Sequence, residues 1–178
     1  MPDLDRRTRY EGVVRQVIEP VRRYLARRTD ATTAEDVLAD TLLVCWRRLD
    51  DVPAEPLPWV YVVARNCLAN AERAARRQGR LVRKLGATAG PSTVPGPDSD
   101  GGDPVLACAL ANLRPADAEL LRLWAWDELT PGELAGVLGV SENAVNIRLH
   151  RARGRLRDEL RKCAELAGHD RGERRTDR

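Results

Sequence analysis

At 178 residues the chain can form one ordinary domain or two small ones, and its formal net charge of +3 looks unremarkable. It carries no signal peptide and no apolar run long enough to span a bilayer. Membrane and secreted classes are therefore set aside, and a soluble, cytoplasmic protein is expected. The charge is nevertheless segregated. Residues 30–55 carry seven acids against Arg47 and Arg48, residues 60–84 seven bases against Glu72, and residues 147–162 seven bases against Asp158 and Glu159. Two basic stretches and one acidic stretch suggest two contacts to nucleic acid and one to a different partner.

In chain order, residues 8–28 predict an amphipathic helix with Val14, Val17, Ile18, Val21 and Leu25 on one face, kinked or broken at Pro20. Thr32 or Thr33 is expected to cap the next helix, with Glu35 and Asp36 in its first turn, where the helix dipole favours acids. That helix, running to about Leu49, turns Val37, Leu38, Thr41, Leu42, Cys45, Trp46 and Leu49 to one side. Its opposite side carries Asp36, Asp40, Leu43 and Arg47. A leucine ringed by two acids and an arginine reads as a docking surface for a protein, and the acids would repel DNA. The plainer alternative is a solvated face, since a lone exposed leucine is common.

Residues 50–58 hold Pro53, Pro56 and Pro58 and predict a loop, after which Pro58 opens a long helix to about Arg77. Its core face is Val60, Val63, Ala64, Cys67 and Ala71, with Ala74 behind. Trp59, Asn66, Asn70, Arg73 and Arg77 lie along one edge. An aromatic ring, two amides and two arginines in a row can stack on an unpaired base, hydrogen-bond base edges and hold phosphates. The competing reading makes Trp59 a core residue and the arginines solvated; a second DNA-facing segment in the same chain favours function.

Residues 79–104 are rich in Gly, Pro, Ser and Asp and too poor in apolar residues to fold, which predicts a flexible linker between two small domains, 8–78 and 105–166. Asp103-Pro104 opens a helix to about Leu113, and Pro115 or Asp117 starts another through Trp126. In the stretch that follows, Thr130, Pro131 and Glu133 form a capping box with proline at the first helical position. Gly139 ends that short helix, and Ser141 caps a second one whose apolar positions are Val145, Leu149, Ala152 and Leu156. This is a helix-turn-helix, which lays its second helix in a DNA major groove. On that helix Asn143, Ile147, His150 and Arg151 are expected outermost, with Asn146 and Arg153 on one flank and Arg148 and Arg155 on the other. Asn suits adenine, Arg suits guanine or phosphate, and Ile can rest on a thymine methyl. A surface helix closing a small bundle is the bland alternative. The polar tail, 167–178, is expected to be disordered.

Cys45, Cys67, Cys108 and Cys163 form no CxxC pair, and neither His150 nor His169 has metal-ligand spacing to them. Buried thiols in a reducing cytoplasm are expected, with no metal and no cofactor. The sequence offers no nucleophile–base pair and no phosphate-binding loop, so no catalysis is expected.

The layout, an all-α chain of two helical DNA-facing modules on a flexible tether, resembles the extracytoplasmic-function sigma factors of bacterial RNA polymerase, with their regions two and four. AEDVLADTLLVCWRR, residues 34–48, is similar to the family segment AEDLVQETFLRAWR. The resemblance implies that Asp36, Asp40, Leu43 and Arg47 face the clamp coiled coil of the polymerase's largest subunit. PWVYVVARNCLANAERAARR is similar to WLYRIARNLAIDELRRRRR, which implies that Trp59, Arg65, Asn66, Asn70 and Arg73 capture a base flipped from the minus-ten element and hold the opened strand. Asn70 stands where the family has Asp.

LTPGELAGVLGVSENAVNIRLHRARGRL is similar to GLSYEEIAEILGISVGTVKSRLHRARKRL, which reads the minus-thirty-five element. That resemblance implies that Ser141, Asn143, Asn146, Arg148, His150 and Arg151 lie in the recognition helix. The implied partners are core RNA polymerase and promoter DNA, both duplex and melted. Many relatives are also held by an anti-sigma factor, although no residue here marks such a site. The rival is a stand-alone helix-turn-helix regulator whose first domain dimerises or senses a ligand.

Overall fold

The computed structural model describes the backbone of residues 2–84 and 103–176 and the side chains of residues 4–80 and 103–167. Most of the expected linker lies outside the described residues. The chain divides into two compact units, Met1–Ser99 and Asp100–Arg178, and among the described residues every regular element is a helix.

The first unit is a bundle of α1 (Pro2–Ala26), α2 (Ala31–Arg47) and α3 (Pro56–Lys84), each packed on the other two. Helix α1 runs through Pro20 without a break, contrary to one of the two outcomes expected there. An interior proline costs roughly 3 kcal/mol. Val17, Val21, Tyr24 and Leu25 are almost wholly buried, and each contributes roughly 1.5–3 kcal/mol, so packing outweighs the missing hydrogen bond. Tyr24 and Tyr61 meet edge-on inside the bundle with centroids 5.2 Å apart.

The cap of α2 is Asp30, not Thr32 or Thr33. Its carboxylate accepts from the Thr33 amide at 3.0 Å and the Thr33 hydroxyl at 2.7 Å, which draws both threonines into the first turn. Those bonds, the backbone one first, hold the Asp30 carboxyl below its ordinary value. After α2 the chain makes a single 3₁₀ turn, Leu49–Asp51, and enters α3 at Pro56, two residues earlier than the prolines suggested. Both Pro56 and Pro58 fall in the first turn, where the backbone N–H groups have no helical acceptor in any case. Helix α3 also continues past Arg77 to Lys84, into the stretch assigned to the linker.

The second unit comprises α4 (Pro104–Asn112), α5 (Pro115–Ala125), α6 (Pro131–Leu138) and α7 (Glu142–Thr176). Helices α4, α5 and α6 all pack on α7. Leu110, Leu113, Ala118, Leu121 and Ala152 form a buried cluster, with Leu106, Trp126 and Leu156 against it. The backbone of α7 is helical to Thr176, across most of the tail expected to be disordered.

The expectation of four thiols also fails. Cys108 on α4 and Cys163 on α7 are joined in a disulfide, with Cα atoms 6.2 Å apart, rather than standing as two separate thiols. The two helices run side by side at the separation a disulfide requires. Cys45 and Cys67 are free: Cys45 is fully buried, which pushes its thiol up to about 11, and burial likewise raises Cys67.

Candidate nucleic-acid interface

The helix-turn-helix is built by local rules. Thr130 and Glu133 cap α6 reciprocally: the Thr130 amide donates to the Glu133 carboxylate at 2.8 Å, and the Glu133 amide donates to the Thr130 hydroxyl at 3.3 Å. Gly139 ends α6 with φ of 65°, a left-handed conformation that an L side chain strains. Ser141 then accepts from the Ala144 amide at 3.3 Å and starts α7. Val145, Leu149 and Ala152 are buried, which fixes the rotation of α7 about its axis.

That rotation exposes Asn143, Asn146, Ile147, Arg148, His150, Arg151 and Arg153, with Ser141 exposed at the entrance. Ile147 is 45% exposed among polar neighbours. Arg153 differs from the other arginines. Its guanidinium lies 3.8 Å from the centroid of the Trp124 ring, so α5 holds it in place. Arg155 is committed as well: it donates to Asp117, whose side chain is largely buried and also accepts from Arg114 at 3.1 Å. Among the sequence-predicted arginines of this helix, Arg148 and Arg151 are the exposed pair for which no such intramolecular partner is seen.

In the first unit, α3 exposes Arg65, Asn66, Asn70, Arg73 and Arg77. Asn70 and Arg73 are brought together: Arg73 donates to the Asn70 side-chain oxygen at 2.9 Å and to the Ala69 carbonyl at 3.0 Å. The acceptor of Asn70 is thereby occupied and its amide donors remain the group it can offer. Trp59 is half-buried in the first turn of α3, with the Arg48 guanidinium 5.6 Å from its ring centroid. The ring thus has an exposed arginine against it while retaining an accessible portion.

Helix α2 turns Asp36, Asp40 and Arg47 to solvent, with Leu43 44% exposed among them. Among the described residues no group of three or more His, Cys, Asp or Glu side chains is placed to hold a metal ion.

Several contributors escaped the sequence reading. Arg6, ahead of the expected start of α1, donates to the Trp46 carbonyl at 2.9 Å and lies over the Trp46 ring at 5.3 Å. Tyr10 meets the same ring edge-on at 5.1 Å. Trp124 was read only as part of a helix, and nothing in the pattern pairs it with a residue on another element. The α1 periodicity, extended two turns toward the N-terminus, could have found Arg6.

Comparison with known proteins supplies the family. Residues 105–156 match the model for sigma-70, region 4. The ECF RNA polymerase sigma factor SigL of Mycobacterium tuberculosis is 31% identical over 147 residues, spanning 76% of this chain and 79% of that protein. Among solved structures, CnrH in complex with the cytosolic domain of CnrY superposes with a TM-score of 0.59 at 22% identity, covering 86% of this chain and 88% of the other. The sigma factor RpoE in complex with the anti-sigma factor NepR from Bartonella quintana gives 0.61 at 22% identity, covering 85% and 96%. These two establish a shared fold; the relationship to SigL, over most of both chains, establishes kinship. The chain belongs to the extracytoplasmic-function (ECF) sigma factors of RNA polymerase.

Proposed function

We propose that this chain confers promoter specificity on core RNA polymerase in the cytoplasm and helps open the DNA it selects. The observation that carries the reading is the exposed face of α7. Asn143, Asn146, Ile147, Arg148 and Arg151 project from a helix whose rotation is fixed by Val145, Leu149 and Ala152, behind a glycine turn. That set can hydrogen-bond adenine and guanine edges, cover a thymine methyl and hold phosphates in a major groove. His150, Ser141 and Arg153 complete the contact from its edges.

Residues 8–78 act as the second module. Asp36, Asp40, Leu43 and Arg47 dock on the clamp coiled coil of the largest polymerase subunit. Trp59, Arg65, Asn66, Asn70, Arg73 and Arg77 take the minus-ten element, where a flipped base stacks on an aromatic ring and the opened strand is held by arginines. Each module alone makes few contacts. Held together on core polymerase, they act at high effective concentration on two promoter elements, and residues 79–104 limit the spacing they can reach. Because CnrH and RpoE were solved with CnrY and the anti-sigma factor NepR respectively, an anti-sigma protein is a further proposed partner. A stand-alone dimeric regulator is not favoured, given kinship with polymerase subunits over 76% of the chain.

Run-off transcription with purified core polymerase on a library of promoter fragments tests the reading. The expected result is initiation from a discrete set of fragments only when the chain is added. Failure to bind core polymerase, together with unaided binding to a palindromic site, would overturn it.

A further inference from the structure

The Cys108–Cys163 bridge joins α4 to the far part of α7, 55 residues away in sequence. Its two sulfurs are not equivalent. Cys163 is 3% exposed, whereas Cys108 is only half-buried, so Cys108 is the more open end of the bridge. Asn112, one turn beyond Cys108 on α4, directs its side-chain amide at both sulfurs, 3.6 Å from that of Cys163 and 3.9 Å from that of Cys108. An N–H donor at that position stabilises a thiolate as it leaves.

We propose that Cys108 and Cys163 form a reversible thiol–disulfide exchange site, with low-molecular-weight thiols and disulfides as its substrates and Asn112 as the positioning residue. In the reductive direction a small thiolate attacks the Cys108 sulfur. The S–S bond breaks, its electron pair leaves on the Cys163 sulfur, and Asn112 donates to the thiolate so formed. A second small thiolate attacks the small-molecule sulfur of the resulting mixed disulfide and the electron pair leaves on the Cys108 sulfur, giving a small-molecule disulfide and two protein thiols once each protein sulfur has taken a proton. Oxidation is the reverse: a small disulfide accepts two electrons from the pair and leaves as two thiols.

The exchange has a mechanical consequence. Helices α4 and α7 supply Leu106, Leu110, Leu156 and Leu160 to an apolar cleft of about 310 Å³, closed on the α5 side by Leu121 and Trp124. The bridge fixes the separation of two of its walls, and reduction leaves them held by non-covalent contacts alone. The chemistry of the pair does not depend on the promoter reading.

The test equilibrates the full chain in oxygen-free buffers of varied reduced and oxidised glutathione, traps free thiols with a maleimide under denaturing conditions and reads the intact mass. Two labels mark the oxidised form and four the reduced form, since the chain has four cysteines. The expected result is one two-electron transition between them within the glutathione ratios found in cells. Amide exchange across residues 104–112 should be faster in the reduced form by at least about tenfold, with residues 8–78 unchanged. Asn112→Ala should slow reduction by glutathione several-fold and favour the oxidised form. Cys108→Ser should take three labels at every ratio, and the wild-type titration stands even if that variant fails to fold. Two labels at every ratio would show a permanent brace, and four labels at every ratio would show no bridge. Either result overturns the proposal, as would an Asn112→Ala variant that exchanges at the wild-type rate.

Discussion

The Arg153 guanidinium lies 3.8 Å from the centre of the Trp124 ring, so one arginine of α7 is held by α5 while Arg151, two residues earlier, is exposed. The two should therefore behave differently toward DNA. Arg151→Ala is expected to weaken binding chiefly at the correct upstream element, by about 1–3 kcal/mol relative to scrambled sequence. Arg153→Ala should weaken binding to all sequences similarly and lower the salt dependence by about one counterion. Titrations of polymerase holoenzyme on matched and scrambled upstream elements at several salt concentrations measure both.

Asp40→Arg reverses a charge on the exposed face of α2 while leaving the buried side untouched. Retention of core polymerase in a pull-down should fall by about tenfold or more, the scale of truncating or reversing a central interface charge. Circular dichroism should show unchanged helix content. Undiminished capture of core enzyme would remove this face from the docking surface.

Trp59→Ala should leave closed-complex formation intact and impair strand opening, because base stacking on an aromatic ring contributes about 1–3 kcal/mol. Permanganate reactivity of thymines in the downstream element reads the melted state directly. Normal reactivity in the variant would assign Trp59 to packing against Arg48.

Gly139→Ala forces a side chain into the left-handed region at φ 65°. The expected destabilisation is about 1 kcal/mol. For a unit of this size, that lowers the melting temperature by roughly 4–8 °C. Differential scanning calorimetry of the full chain should show the shift in the second unit's transition and not in the first's.

Burial lifts the Cys45 thiol from an ordinary value of 9.0 to about 11. A folded value above the unfolded one contributes stability that is fully present below pH 9 and lost as pH rises through about 11, because the unfolded thiol ionises first. Urea midpoints measured from pH 8 to 11 should fall more steeply for the wild type than for Cys45→Ala. Equal slopes would show that the thiol is not desolvated.

What the sequence disclosed followed from what short-range rules govern. Periodicity placed Val145, Leu149 and Ala152 inward and so turned the polar face outward, and the capping box, Gly139 and Ser141 located both ends of α6 and the start of α7, though not the end of α7. The boundaries that moved were set by competition. Asp30 took the cap from two threonines because its carboxylate satisfied both the amide and the hydroxyl of Thr33. Pro20 yielded to buried neighbours on both sides. Contacts between elements far apart in the chain left no periodic trace: neither the Arg153–Trp124 stack nor the Cys108–Cys163 bridge can be read from spacing, because each depends on how two helices lie against one another.

Arg6 reaches back from the first turns of α1 to the carbonyl of Trp46 and to Asp50, and Arg9 donates to the carbonyl of Val52 at 3.2 Å. The beginning of the chain thus acts as a strap over the corner between α2 and α3. Helix α2 carries the acidic face and α3 the aromatic edge, so slackening that strap would disturb the proposed purchase on core polymerase and the proposed grip on the opened strand through one hinge. Deleting or heavily tagging these first turns should mimic damage at two surfaces that neither residue touches.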